Sequence, residues 1–149
     1  MNIIWHEKTQ QFHLYNDEIS YIMYVQPNGE LGQLYFGSRI HDREDFSYLT
    51  HRGMKPMVAV DAPTEDFSME LTCQEYPGFG STDFGMHAYD VEYADGSRVS
   101  NFRYASHQIS AGKGKLDGLP ATYADETEAM TLSVTLIDER SMLELELFY

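Results

Sequence analysis

Carboxylates are the most plentiful groups in this chain that could do chemistry. Its 149 residues hold 24 Asp and Glu against 10 Lys and Arg, a formal charge of −14. Acid–base hydrolysis needs two carboxylates held together, one to donate a proton and one to act as nucleophile or base. The run HDRED at residues 41–45 offers Asp42, Glu44 and Asp45, and Glu75 and Asp83 stand further on. In so acidic a chain, such a run reads first as a solvated face. None of the six histidines has an i, i+4 partner of the kind that builds a zinc helix, and the single Cys73 cannot found a structural zinc site. His41, Asp42 and His51 form a metal set only in principle; exposed loop histidines are the plainer reading. There is no G-x-S-x-G, no His near Cys73, and GKGK at 112–115 lacks the spacer and the Ser/Thr of a phosphate loop. These residues predict no catalytic group, no metal site and no cofactor.

A different kind of candidate lies at residues 71–84, LTCQEYPGFGSTDF. Pro77, Gly78 and Gly80 break any helix or strand, while Tyr76, Phe79 and Phe84 make the segment too apolar for an ordinary wet loop. Trp5, Tyr76, Phe79, Phe84 and the Tyr89/Tyr93 stripe could stack on flat apolar ring faces. For Tyr89 and Tyr93 the simpler account is that tyrosine is common in strands. For the bend, glycines that admit close backbone approach and aromatics placed to fill a surface predict a contact loop. Its candidate residues are Glu75, Tyr76, Pro77, Phe79, Asp83 and Phe84.

The elements that must position this bend read as strands. ISYIMYV at 19–25 is apolar at nearly every position and predicts a strand covered on both faces. QPNGE follows, with Asn28-Gly29 suited to the positive φ of a hairpin turn, and LGQLYF at 31–36 returns. MHAYDVEY at 86–93 alternates and predicts a strand turned at Asp95-Gly96 onto residues 98–107, with a bulge near Asn101. Residues 110–120 read as a flexible stretch. Met130, Leu132, Val134 and Leu136, then Leu143, Leu145 and Leu147, alternate with polar residues and predict two half-buried antiparallel strands. Only 61–72 admits a helical turn, begun by Thr64 or Ser68. The sum is an all-β antiparallel sandwich with few or no helices.

Net charge argues against nucleic acid and anionic membrane surfaces, since both are polyanions. No basic-then-apolar leader opens the chain, and no run approaches the ~20 apolar residues that span a bilayer. A lone thiol suits a reducing cytosol and predicts a cytoplasmic protein. The pattern stops in mid-strand at Phe148-Tyr149, which reads as a piece of something longer. Half a sandwich would expose an apolar face, so self-association or marginal stability is expected.

QEYPGFGSTDF at 74–84 resembles a signature of the bacterial α-galactosidases of glycoside hydrolase family 36. LYFG at 34–37, DFSMEL at 66–71 and the long stretch 95–138, with its glycine-lysine loop and GLPATY, resemble the family in the same order. The resemblance implies that residues 1–149 are the first part of an N-terminal β-supersandwich, ahead of a (β/α)8 barrel absent from this chain. It implies a retaining hydrolase of terminal α-1,6-galactosides of the melibiose and raffinose type, with barrel aspartates as its catalytic pair. The implied partners are that barrel, neighbouring subunits of a homo-oligomer and, through the parent, the galactoside. The bend then becomes an interface loop set against the barrel or near a neighbouring subunit's substrate. Two departures stand out. Gly85 follows Asp83-Phe84 where the family usually has Arg, and Thr64-Glu65-Asp66 precedes Phe67-Ser68 where many members carry an Asp-Arg pair. Readings from other classes are a free-standing carbohydrate-binding module, an oligomerisation domain pairing through residues 142–149, and a free-standing enzyme.

Overall fold

The computed structural model describes residues 2–50, 67–80, 85–114, 118–120 and 122–149. The described strands form two antiparallel sheets. The first is a meander of β1 (Asn2–His6), β2 (Gln11–Tyr15), β3 (Ile19–Val25), β4 (Leu31–Ser38) and the two-residue β5 (Cys73–Gln74), each strand beside the next. The second has β6 (Arg103–Ala111), β7 (Met130–Asp138) and β8 (Leu143–Phe148), with β7 in the middle. Among the described residues helix is confined to two 3-10 turns, Ser47–Leu49 and Met69–Leu71. The second of these follows Ser68, one of the two starts expected; Thr64 lies outside the described residues. No helix among the described residues is long and apolar enough to cross a membrane.

The alternating strands dictate the core. Ile3, Phe12, Leu14, Met23 and Leu31 from the first sheet meet Leu132, Val134 and Leu136 from the second, all nearly or fully buried. Burial of each such side chain stabilises by roughly 1.5–3 kcal/mol before conformational entropy is counted. The β3–β4 hairpin forms as read, but Gly29 alone takes positive φ (87°). Asn28 instead accepts the Glu30 N–H at 3.1 Å through its side chain. In β4 the register skips Leu34, because Ile22 faces Tyr35 while Met23 faces Gln33.

Ser20, Ile22 and His13 point to the other face of the first sheet, and residues 39–50 cross it as a strap. Its backbone is tied at Arg39 N to Glu18 O (2.8 Å), at Ile40 N to Ser20 Oγ (3.1 Å) and at Phe46 N to Gln11 Oε1 (2.7 Å). Phe46 is fully buried beneath it. This explains why β3 is apolar on both faces: one meets the second sheet and the other meets the strap.

Three sequence readings require correction. Residues 86–93 and 98–102 form no strand; the Asp95-Gly96 turn is present, with Gly96 N bonded to Tyr93 O at 2.8 Å, but its flanks do not pair as a ladder. Tyr89 makes one isolated parallel bridge to Gly78 and its ring packs on the bend instead. Half-buried aromatics satisfy a strand pattern and a ring cluster equally well. The bulge falls between Tyr104 and Ser106, not near Asn101. The stretch read as flexible from 110 begins later, because β6 continues to Ala111. The β1–β2 hairpin carries no Asn-Gly or Gly signal; its turn ends on Gln10 at φ 51°, whose carbonyl accepts the Val25 N–H.

Candidate functional site

The bend rises from the edge of the first sheet. β5 pairs with β4 through Gly32 and Gln33, and Glu75 N donates to Leu31 O at 2.9 Å. The Glu75 carboxylate turns inward, where the Tyr21 hydroxyl donates to it. Burial first, and then Glu75, push the Tyr21 and Tyr149 phenols far above the usual tyrosine range. This carboxylate is thus engaged with buried phenols at the base of the bend.

Beyond it, Tyr76 lies ring to ring on Tyr89, with centroids 5.4 Å apart and planes 11° from parallel. Tyr89 in turn meets Phe102 edge-on at 5.4 Å, and burial raises its phenol pKa. Pro77 O accepts the Ala88 N–H at 2.8 Å. A Cβ on Gly78 would overlap the Tyr89 hydroxyl and come within 2.8 Å of its Cζ, so glycine is required for this approach. Phe79 meets His87 edge-on at 5.4 Å and lies under the Arg98 guanidinium at 5.2 Å. Arg98 is itself held by Asp90, with Nε to Oδ1 at 3.0 Å. The bend is therefore fastened to residues 87–102 on one side, while Tyr76 and Phe79 each keep 36 % of their surface exposed on the other. Asp83 and Phe84 lie outside the described residues. Tyr21, Tyr149, Asp90 and Arg98 join the site only through the fold, and no local pattern marked them.

Asp42, Asp45, His6 and His13 serve the strap. Asp42 Oδ1 receives His13 Nδ1 at 2.7 Å and His6 Nε2 at 3.0 Å. Burial pushes the Asp42 pKa up, but hydrogen bonds from His13 and His6 outweigh it and hold the carboxyl below its ordinary value. His13 Nε2 lies 2.9 Å from Ser20 Oγ. The order Ser20, His13, Asp42 is that of a nucleophile, base and orienting acid. Both Ser20 and His13 are fully buried, and Ser20 Oγ already accepts the Ile40 N–H, so the array fastens the strap. Glu44 pairs with Lys8 at 3.0 Å and Asp45 caps Ser47 N at 2.8 Å. His107 meets Tyr104 at 2.7 Å, and burial lowers its pKa. Among the described residues no three His, Cys, Asp or Glu gather to hold a metal ion. Two N–H groups of the glycine-lysine loop are used internally, Gly112 on Ala129 O and Gly114 on Thr131 Oγ1; Lys115 and His51 fall outside the described residues.

The geometry defines a two-layer antiparallel β-sandwich in which Asp42 and Asp45 hold the strap and Glu75 holds the base of an aromatic-tipped bend at one sheet edge. The chain belongs to glycosyl hydrolase family 36 as its N-terminal domain, whose family description matches residues 29–149. Alpha-galactosidase AgaA of Geobacillus stearothermophilus is 37 % identical over 158 aligned positions, taking in 100 % of this chain and 21 % of that protein. Alpha-galactosidase Mel36A of Lactobacillus acidophilus is 35 % identical, over 96 % of this chain and 20 % of that one. The crystal structure of the alpha-galactosidase from Lactobacillus brevis superposes with a TM-score of 0.91 at 34 % identity, over 99 % of this chain and 20 % of its own. AgaB from Geobacillus stearothermophilus gives 0.85 at 38 % identity over 100 % and 20 %. The chain thus spans about a fifth of the length of these relatives.

Proposed function

We propose that this chain is the non-catalytic sandwich of an α-galactosidase that hydrolyses terminal α-1,6-galactosides of the melibiose and raffinose type. Its role is to support the packing of a catalytic barrel and the assembly of subunits in the cytoplasm, and alone it is inactive. The observation that carries this reading is the bend. Glu75 and residues 87–102 hold its described part through named contacts, yet Tyr76 and Phe79 stay partly exposed, the arrangement of a preformed contact surface. The engagement of Asp42, Asp45 and Glu75 in the fold supports the assignment of hydrolysis to another part of the parent.

The test compares this chain with its natural full-length protein on a chromogenic α-galactoside and on raffinose. The full-length protein should hydrolyse both and this chain neither. In the full-length protein, Tyr76→Ala with Phe79→Ala should weaken assembly, read by sedimentation, more than it alters the melting of the isolated chain. Hydrolysis by this chain alone, or assembly indifferent to both rings, would overturn the proposal.

A further inference from the structure

The β3–β4 turn carries a dipeptide with a reaction of its own. Asn28 is followed by Gly29, and none of the other asparagines, Asn2, Asn16 and Asn101, precedes a glycine. With no Cβ on Gly29, its backbone nitrogen can reach the Asn28 side-chain carbonyl carbon once the chain is free to turn. The attack closes a succinimide ring. The bond from Gly29 N to Asn28 Cγ forms, the Cγ–Nδ2 bond breaks, and the Gly29 amide proton leaves with the side-chain nitrogen as ammonia. Water then opens the ring at either carbonyl. The product is an aspartate, or an isoaspartyl link in which the main chain runs through the former side chain. Water is the sole co-reactant.

The fold holds both reacting groups. The Gly29 N–H donates to Gln26 O at 2.8 Å, so its proton is engaged. Asn28 Oδ1 accepts the Glu30 N–H at 3.1 Å, and Nδ2 donates to Met69 Sδ at 3.5 Å, which pins the amide at both ends. Asn28 is only 7 % exposed. The turn is closed by Gln26 N to Glu30 O at 2.8 Å, and Gly29 O accepts the Tyr104 N–H of β6 at 2.7 Å. The Arg103 side chain lies along Gly29. The turn is therefore a joint between the two sheets as well as a hairpin end. For the attack, Gly29 N must release Gln26 and the Asn28 amide must leave its partners, and both movements open this joint.

We propose that Asn28 is a self-modification site kept unreactive by the closed turn, and that opening of the turn converts it irreversibly. Ammonia is lost to solvent, so the step does not run back. Neither product fits the closed turn. An isoaspartyl link adds a methylene to the main chain between Gln26 and Glu30 and breaks the spacing of their hydrogen bond. An aspartate puts a carboxylate where only an amide was buried, next to Glu30, and burying an unpaired charge is costly. Each excursion of the hairpin is thus recorded in the covalent structure. The site is independent of the bend and of the role proposed for it.

The test holds this chain in mildly alkaline buffer, with and without enough guanidinium chloride to unfold it, and follows each asparagine by peptide mapping. Unfolded, Asn28 should convert to aspartyl and isoaspartyl forms ahead of Asn2, Asn16 and Asn101. Folded, its conversion should be at least about tenfold slower, which corresponds to an opening free energy of about 1.4 kcal/mol or more. Leu31→Ala removes a buried side chain just beyond the turn. It should speed the conversion without denaturant, whether it loosens the hairpin or unfolds the chain. Chain that has reacted at Asn28, returned to native buffer, should unfold at a lower denaturant concentration than unreacted chain. Equal rates with and without denaturant, a rate that Leu31→Ala leaves unchanged, or a reacted chain with the unreacted midpoint would overturn the proposal.

Discussion

Gly78 shows how one absent methyl group shapes the bend. The Tyr89 hydroxyl occupies the place a Cβ would take, so Gly78→Ala must displace either the ring or the backbone bridge between the two residues. Overpacking of this kind costs roughly 1–3 kcal/mol. Denaturant unfolding of the chain should show that loss. Tyr89→Phe removes the nearest atom and leaves Cζ at 2.8 Å, so the double variant should recover part of the loss and no more. A Gly78→Ala chain as stable as the parent would mean that the bend does not sit on Tyr89 in solution. At this scale the sequence was informative about residue type. Tyr76, Pro77, Phe79 and the glycines announce a shaped bend. It was silent about partners, because Tyr89 lies eleven residues from Gly78 and Tyr149 more than seventy from Glu75.

At the scale of elements, the strap explains both what could be read in advance and what could not. Strands with strict alternation, β7 and β8, and the hairpin with Asn-Gly, β3–β4, were legible because each pattern is local. The β1–β2 hairpin was not, because its turn lacks glycine and β2 buries Gln11 and His13 as well as Phe12 and Leu14. Buried polar residues erase the period-two signal, and their partners come from far along the chain, chiefly from the strap at residues 39–50. The HDRED acids likewise looked like solvent-facing charge, yet Asp42 is the clasp. Its folded pKa is lowered, so its stabilising contribution is complete above the unfolded value of 3.8 and is lost as pH falls through the folded one. Asp42→Asn should therefore destabilise the chain at pH 7, and the gap from the parent should close as the medium is taken well below pH 3.8. Urea unfolding at both conditions checks this. A gap that stays constant with pH would mean that the charge on Asp42 does nothing for the strap.

For the whole molecule the question is how an acidic sandwich with an open strand meets a second copy. β8 lies at the edge of its sheet, with Leu143, Leu145 and Leu147 facing the core side and Glu144 and Glu146 facing out. Exposed apolar residues such as Phe36 (67 %) and Phe148 (41 %) favour association. The charge pattern of the edge opposes it. Antiparallel pairing of two β8 strands must place residues of the same parity opposite each other. Centred on Leu145, that arrangement sets Glu144 of one copy against Glu146 of the other, and like charges directly opposite destabilise a strand pair. Outward acids on an edge are a known guard against edge-to-edge pairing. Glu144→Lys converts both cross-strand pairs to opposite charge, a gain of roughly 0.2–1 kcal/mol for each relative to neutral pairs. Sedimentation velocity should then show Glu144→Lys dimerising at concentrations where the parent does not, with the difference shrinking at high salt as charge is screened. Equal association of the two chains would place any self-contact away from β8, on the exposed apolar residues.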